Sequence, residues 1–126
     1  MKQVAAQEKL RLKLQKICLE LPESSEKLSW GNPTFFAGKK SFASLDHYEG
    51  HACLVTKAKD SARKASLMKD ARFFDPPYVG SKGWIALKLD VKPVDWQLVE
   101  TLIGESYEQV ALKRMLTALA DGGSER

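Results

Sequence analysis

Residues 80–83, Gly-Ser-Lys-Gly, place two glycines around a serine and a lysine, the G-x-x-G spelling of a clamp on a nucleic-acid backbone. Such a clamp joins two helices. Here the stretch leaves Pro76-Pro77-Tyr78 and runs into Trp84-Ile85-Ala86-Leu87, which alternates like a strand, so a turn is expected. Lys82 on a glycine-flanked tip still has the reach for a phosphate, with backbone N–H groups accessible beside it. Gly38-Lys39-Lys40 poses the same choice at a second tip, where lysines follow a phosphate backbone or discourage edge-to-edge aggregation. Lys57, Lys59, Arg63, Lys64, Lys69 and Arg72 form a third basic group, tempered by Asp60 and Asp70. These clusters amount to a nucleic-acid surface only if the fold gathers them on one side.

Other chemistries find less support. His47 and His51 are expected to face each other across a Tyr48-Glu49-Gly50 loop with Cys53 on the same face, giving three soft donors. No Cys-x-x-Cys or His-x-Glu spacing accompanies them, so a half-exposed histidine pair is expected and no metal. No serine or cysteine has a histidine at a recognisable catalytic spacing, and Ser106 within Glu105-Ser106-Tyr107 reads as a helix cap. The expectation is a protein without enzymatic activity or cofactor.

The charge is uneven along the chain. Residues 1–33 carry a net +2, residues 34–92 a net +5 and residues 93–126 a net −3. Nine of the eleven aromatic rings fall between residues 30 and 84, and Phe35, Phe42 or Tyr48 on a sheet face would offer stacking surfaces for bases. A chain of 126 residues reads as one domain, 1–126, able to bury a core unaided. Cys18 and Cys53 sit among apolar neighbours and read as buried free thiols. The absence of a signal-like or ~18-residue apolar stretch predicts a cytoplasmic protein without a membrane partner.

The positioning elements follow from periodicity. Leu10, Leu14, Ile17, Cys18 and Leu21 form one helical stripe that Pro22 ends, and "PESSEKLSWGNP" reads as a turn-rich connector. Residues 34–57 read as a three-stranded meander with tips at Gly38-Lys39 and Tyr48-Glu49-Gly50. Strict alternation puts Phe36, Ala43, Leu45, Cys53 and Val55 on one face and Phe35, Phe42 and Leu54 on the other, with neither face cleanly polar. Asp60 or Ser61 caps a short basic helix, residues 83–90 give another strand, and Asp95 caps a helix that Gly104 interrupts. Ser106 then opens a last helix that Gly122-Gly123 stops. The predicted order is α-β-β-β-α-β-α-α.

The pieces "LPESSEKLSWGNPTFFAGKKSFASL", "PPYVGSKGWIALKL" and "ESYEQVALKR" resemble the MmcQ/YjbR family over about residues 10–114. Matched by position, the residues that carry the likeness are Trp30, Gly31, Pro33, Phe35, Tyr78, Gly83, Trp84, Ser106 and Tyr107. The resemblance implies an α+β, two-layer CyaY-like (frataxin-like) or double-wing fold, with an antiparallel sheet against helices. On that fold Trp30, Trp84 and Tyr107 are expected as large rings buried between helices and sheet, and Gly31 and Gly83 as turn residues. Frataxin's first helix is acidic and binds iron, whereas this one carries Lys9, Arg11, Lys13 and Lys16 against Glu8 and Glu20, which argues against iron delivery.

The family's usual description implies DNA binding, and the basic tips and short basic helix read as the means: double-stranded DNA held largely without sequence preference through Lys39, Lys40, Lys57, Lys59, Arg63, Lys64 and Lys82. The alternative is a protein-interaction module using a sheet face around Phe35 and Phe42. A ligand pocket around Trp30, Tyr78 and Trp84 is a third reading.

Overall fold

The structure, a computed structural model, describes residues 2–77 and 79–121. Tyr78 and the Gly122-Gly123 stop lie outside them. Helix α1 (Lys2–Leu19) leads into strands β1 (Ser24–Ser29), β2 (Asn32–Ala37), β3 (Lys40–Tyr48) and β4 (His51–Lys57). Helix α2 (Ser61–Leu67), the two-residue strand β5 (Phe73–Phe74), a 3₁₀ turn (Gly80–Lys82), strand β6 (Trp84–Lys88) and helices α3 (Trp96–Val110) and α4 (Lys113–Ala120) complete it. The α+β order is the expected one with two additional strands, β1 and β5. One antiparallel sheet runs β1-β2-β3-β4-β6-β5.

The connector assigned to residues 22–33 is in fact an edge hairpin. Serines and charges hide β1 from a hydrophobic pattern, because an edge strand half in water needs no apolar alternation. Its turn, Trp30-Gly31, and the next one, Glu49-Gly50, each have both residues at positive φ (54° and 81°; 51° and 84°), the signature of two-residue type I′ loops. Tyr48 therefore pairs with His51 instead of belonging to a three-residue loop. Gly38, at φ 62°, opens the intervening turn, and a Cβ there would stand 3.0 Å from Met115 Cε.

A β-bulge resets the faces. Phe35 pairs with Ala43 but Phe36 with Ser41, so Phe42 is the extra residue. Phe42 is consequently buried beside Ala43 under the helices, and the strict alternation assumed from the sequence fails at that point. The helix-covered face carries Phe35, Phe42, Ala43, Leu45, Leu54, Thr56, Ile85 and Leu87, packed against Leu14 of α1, Val99, Leu102, Ile103 and Tyr107 of α3, and Met115 of α4. Phe42 and Tyr107 meet edge to face, ring centroids 5.3 Å apart, an arrangement contributing about 0.5–1.5 kcal/mol beyond area burial.

Asp60 and Asp95 cap α2 and α3, accepting from the N–H groups of Arg63 (2.7 Å) and Leu98 (3.1 Å). Helix α3 runs straight through Gly104; the chain breaks instead at Ala111 and Leu112, both extended. Ser106 is thus mid-helix and caps nothing. Its buried hydroxyl donates to the Phe42 carbonyl at 2.6 Å and accepts from the Lys57 N–H at 2.9 Å, tying α3 to the bulge and to the end of β4. Tyr107 donates its phenol to the Pro22 carbonyl at 2.6 Å, and Gln109 donates to the Lys57 carbonyl at 2.9 Å.

Ser106→Ala leaves two main-chain groups without their partner and should destabilise the fold by about 1–3 kcal/mol, measured as a lowered urea midpoint. A shift under about 0.5 kcal/mol would show that water replaces the hydroxyl without penalty.

Candidate nucleic-acid interface

The topology collects the predicted lysines at one end of the sheet. The β2–β3 tip bearing Lys39 and Lys40, the end of β4 at Lys57 and the start of β6 after Lys82 all lie on that edge. With strands about 4.8 Å apart, two spacings separate β3 from β6, roughly 10 Å. The Ala58 N–H donates to the Gly83 carbonyl at 2.9 Å, fixing the Lys57-Lys59 segment against the Gly-Ser-Lys-Gly turn. That turn is a single 3₁₀ turn closed by Gly83 at φ 93°, not a clamp between helices. Lys57, Lys59, Lys64 and Lys82 line a cleft of about 430 Å³ with Asp60, Ser61, Gly80, Ser81 and Gln109.

The cations divide into two groups. Arg63 reaches Glu105 at 3.1 and 3.2 Å, and Lys64 contacts Asp75 at 2.5 Å and the Gly80 carbonyl at 2.6 Å. Arg114 pairs with Glu23 at 2.7 Å, and Arg72 with Asp70 at 2.6 Å, holding the Asp70 carboxyl down at about 2. Lys39, Lys40, Lys57, Lys59 and Lys82 have no ion-pair partner among the described residues. Asp60, the carboxylate nearest Lys59 in sequence, caps α2 through the Arg63 N–H and keeps its charge at the cleft. The end of the sheet therefore presents five lysines without an ion-pair partner among the described residues, with Asp60 beside them in the cleft, a grouping that sequence separations of up to 43 positions did not reveal.

Other predicted constellations are not assembled. His47 pairs with Ala52 and His51 with Tyr48, so the two imidazoles project from opposite faces of the sheet, and His51 contacts Asp90 at 3.0 Å. Among the described residues no three His, Cys, Asp or Glu side chains converge. Phe35 and Phe42 are fully buried and unavailable to bases or to a protein partner. Of the three rings expected between helices and sheet, only Tyr107 is there. Trp84 is half-buried on the opposite face, and Trp30, at the far end of the sheet from Trp84, is 99% exposed. Among the described residues, neither the cleft by Lys57 nor the groove by Trp96 includes Trp30 or Trp84.

The helix-free face unites Phe36, Cys53 and Val55, as the alternation predicted, while Ala43 and Leu45 turn to the helices. Cys53, Val55 and Ala86 are covered there by Tyr48, Phe74 and Trp84, with Phe36 further across the sheet. Lys27 Nζ stands 5.6 Å from the Phe36 ring centroid and Lys88 Nζ 5.9 Å from that of Phe74. The alternation Trp84-Ala86-Lys88 was a signal for part of it. A larger groove of about 660 Å³ opens among α1, α3 and α4, where Lys13 lies 4.7 Å from the Trp96 centroid.

Comparison with known proteins agrees with this architecture. The YjbR family model matches residues 19–109. The chain belongs to the YjbR family. A solved Deinococcus radiodurans protein whose family-model domain is DUF419 shares the fold with a TM-score of 0.64 at 21% identity, over 87% of this chain and 91% of that one. No curated protein matches. The YjbR match ends just past Ser106 and Tyr107, and the family residues acquire physical roles: Ser106 and Tyr107 tie α3 to the sheet and to the end of the first loop, and Gly31 and Gly83 provide left-handed turns. No helix among the described residues is long and apolar enough to cross a membrane.

Both thiols of this YjbR protein are free and buried. Burial pushes the Cys53 thiol up to about 12 and raises that of Cys18 as well. An unfolded cysteine ionises near 8.5, so the stabilisation from keeping these thiols neutral is complete below about pH 8.5 and lost as pH climbs toward 12. The urea midpoint should fall between pH 8 and 10.5, and fall less in Cys53→Ala. Equal slopes in both proteins would remove Cys53 from the account.

Proposed function

We propose that this YjbR protein binds nucleic acid through its phosphate backbone, with the lysine-bearing end of the sheet as the contact surface. The carrying observation is the separation of cations: Arg63, Lys64, Arg72 and Arg114 hold carboxylates, while Lys39, Lys40, Lys57, Lys59 and Lys82 share one end and pair with none among the described residues. Neighbouring lysines without ion-pair partners repel one another and gain by neutralising a polyanion, releasing its counterions. Lys39, Lys40, Lys57, Lys59 and Lys82 take phosphates, and Arg63 and Lys64 position the cleft walls. Phosphate contacts carry no base identity, so binding is largely independent of sequence.

Five phosphate contacts predict a log–log salt slope near −4.5 on a duplex and dissociation constants of order 10⁻⁴ to 10⁻⁶ M. Fluorescence anisotropy of a labelled 20-base-pair duplex at several salt concentrations measures both. Lys39→Ala/Lys40→Ala/Lys82→Ala should weaken binding at least tenfold and flatten the slope by about three contacts. Binding insensitive to salt, or unchanged in that variant, would refute the reading.

A protein-docking role has one observation in its favour. At the other end of the sheet Trp30 is 99% and Leu28 74% exposed, and Trp30 sits at φ 54°, where a bulky residue costs about 1–2 kcal/mol. An apolar ring held in water at a strained turn suits a binding anchor. Sedimentation tests the simplest form: self-association present in the wild type and lost in Trp30→Asn supports docking through this turn, and monomers in both count against it.

A further inference from the structure

The described helices leave one face of the sheet uncovered, and its composition differs from that of a core or of a solvated surface. Successive ladder partners place Lys27, Thr34, Ser44, Val55, Ala86 and Phe74 in one row across that face. The rings of Phe36, Tyr48, Phe74 and Trp84 are each only partly buried around it. Two of the rings have an ammonium beside them, Lys27 at Phe36 and Lys88 at Phe74, and Lys57 is the ladder partner of Trp84. Tyr48 instead donates to Asp46 at 3.0 Å.

We infer that this face is a base-stacking platform, which makes single-stranded nucleic acid the preferred ligand of the lysine-bearing end. The inference rests on the phosphate-binding reading and specifies its substrate class. Flat rings interleaved with cations match unpaired bases joined by phosphates, one partner for each kind of group. A duplex stacks its bases on one another and offers such a face nothing to stack on. A protein partner fits less well, because interface cores are depleted in lysine, and here Lys27, Lys57 and Lys88 stand among the rings. Lys57 belongs to both regions, so a strand lying across Trp84 continues onto Lys59 and Lys82 without leaving cationic surface.

The test compares labelled 20-nucleotide oligo(dT) with a 20-base-pair duplex at one low salt concentration, using the wild type, Phe36→Ala, Trp84→Leu and Lys39→Ala/Lys40→Ala/Lys82→Ala, each checked for folding by circular dichroism. The single strand should bind at least tenfold more tightly than the duplex, and each aromatic substitution should weaken its binding roughly 5- to 150-fold while changing duplex binding little. A second measurement stands if those variants misfold: in Trp30→Phe/Trp96→Phe, where Trp84 is the remaining tryptophan, oligo(dT) should quench emission at saturation.

Single-strand binding no tighter than duplex binding, with Trp84 emission unmoved, overturns the platform and leaves the phosphate reading intact. Loss of affinity in the lysine variant alone has the same meaning. Self-association through this face, without any effect of oligonucleotide, overturns the platform in favour of a second copy. Absence of binding to either nucleic acid overturns both readings.

Discussion

A buried hydroxyl ties the two layers together at the centre of their contact. Ser106 sits on α3 with no exposed surface and joins the carbonyl freed by the bulge at Phe42 to the N–H at the end of β4. A bulge withdraws a main-chain group from the ladder, and burial of that group is tolerable only when another partner is supplied. Serine supplies both a donor and an acceptor in the smallest volume, which lets α3 approach the sheet closely. Tyr107, next along the helix, fills the adjoining space with its ring and ends on the Pro22 carbonyl.

The same bulge decides which rings are core and which remain available. By turning Phe42 under α3 it places Phe42 with Phe35, leaving Phe36 on the opposite side. The sheet thus has a packed face that stabilises it and a second face where small buried residues lie beneath half-exposed rings. The separation of cations has a comparable logic. Arg63 and Lys64 join α2 to α3 and to the loop before β6, so the basic helix functions as scaffolding while lysines on the turns face water.

Elements with strong local signals were legible. The α1 stripe, the aspartate caps of α2 and α3, the glycine turn at residue 38 and the alternation of β6 all follow from short-range sterics and periodicity. The missed features depend on groups remote in sequence. Nothing in "SSEKLS" announces a strand, since its partner β2 and the contacts of Glu26 with Arg11 (2.8 Å) and Gln15 (2.7 Å) fix it. Ser106-Tyr107-Glu108-Gln109 spells a capping box, yet its serine and glutamine reach Phe42 and Lys57 in the sheet. Trp30 looked like a core residue because its size favours burial, and only the turn geometry shows that it points away. Of the candidate site, the lysines themselves were legible; their sorting into paired and unpaired required the fold.

The reach of the Ser106 and Tyr107 contacts also bears on how the chain folds as it is made. The meander of β2, β3 and β4 spans 26 consecutive residues, Asn32–Lys57, and closes through short loops, so its pairing is available early in synthesis. The groups that lock it arrive 49 to 85 positions after their partners. Until α3 has emerged, Phe35, Phe42, Leu45 and Leu54 form an apolar surface with no helix from the C-terminal half to cover it, and only α1 stands ready on that side. A growing chain of this kind passes through a stage that chaperones recognise and aggregation threatens. The short 3₁₀ turn and tight hairpins limit that stage by keeping the intervening length small.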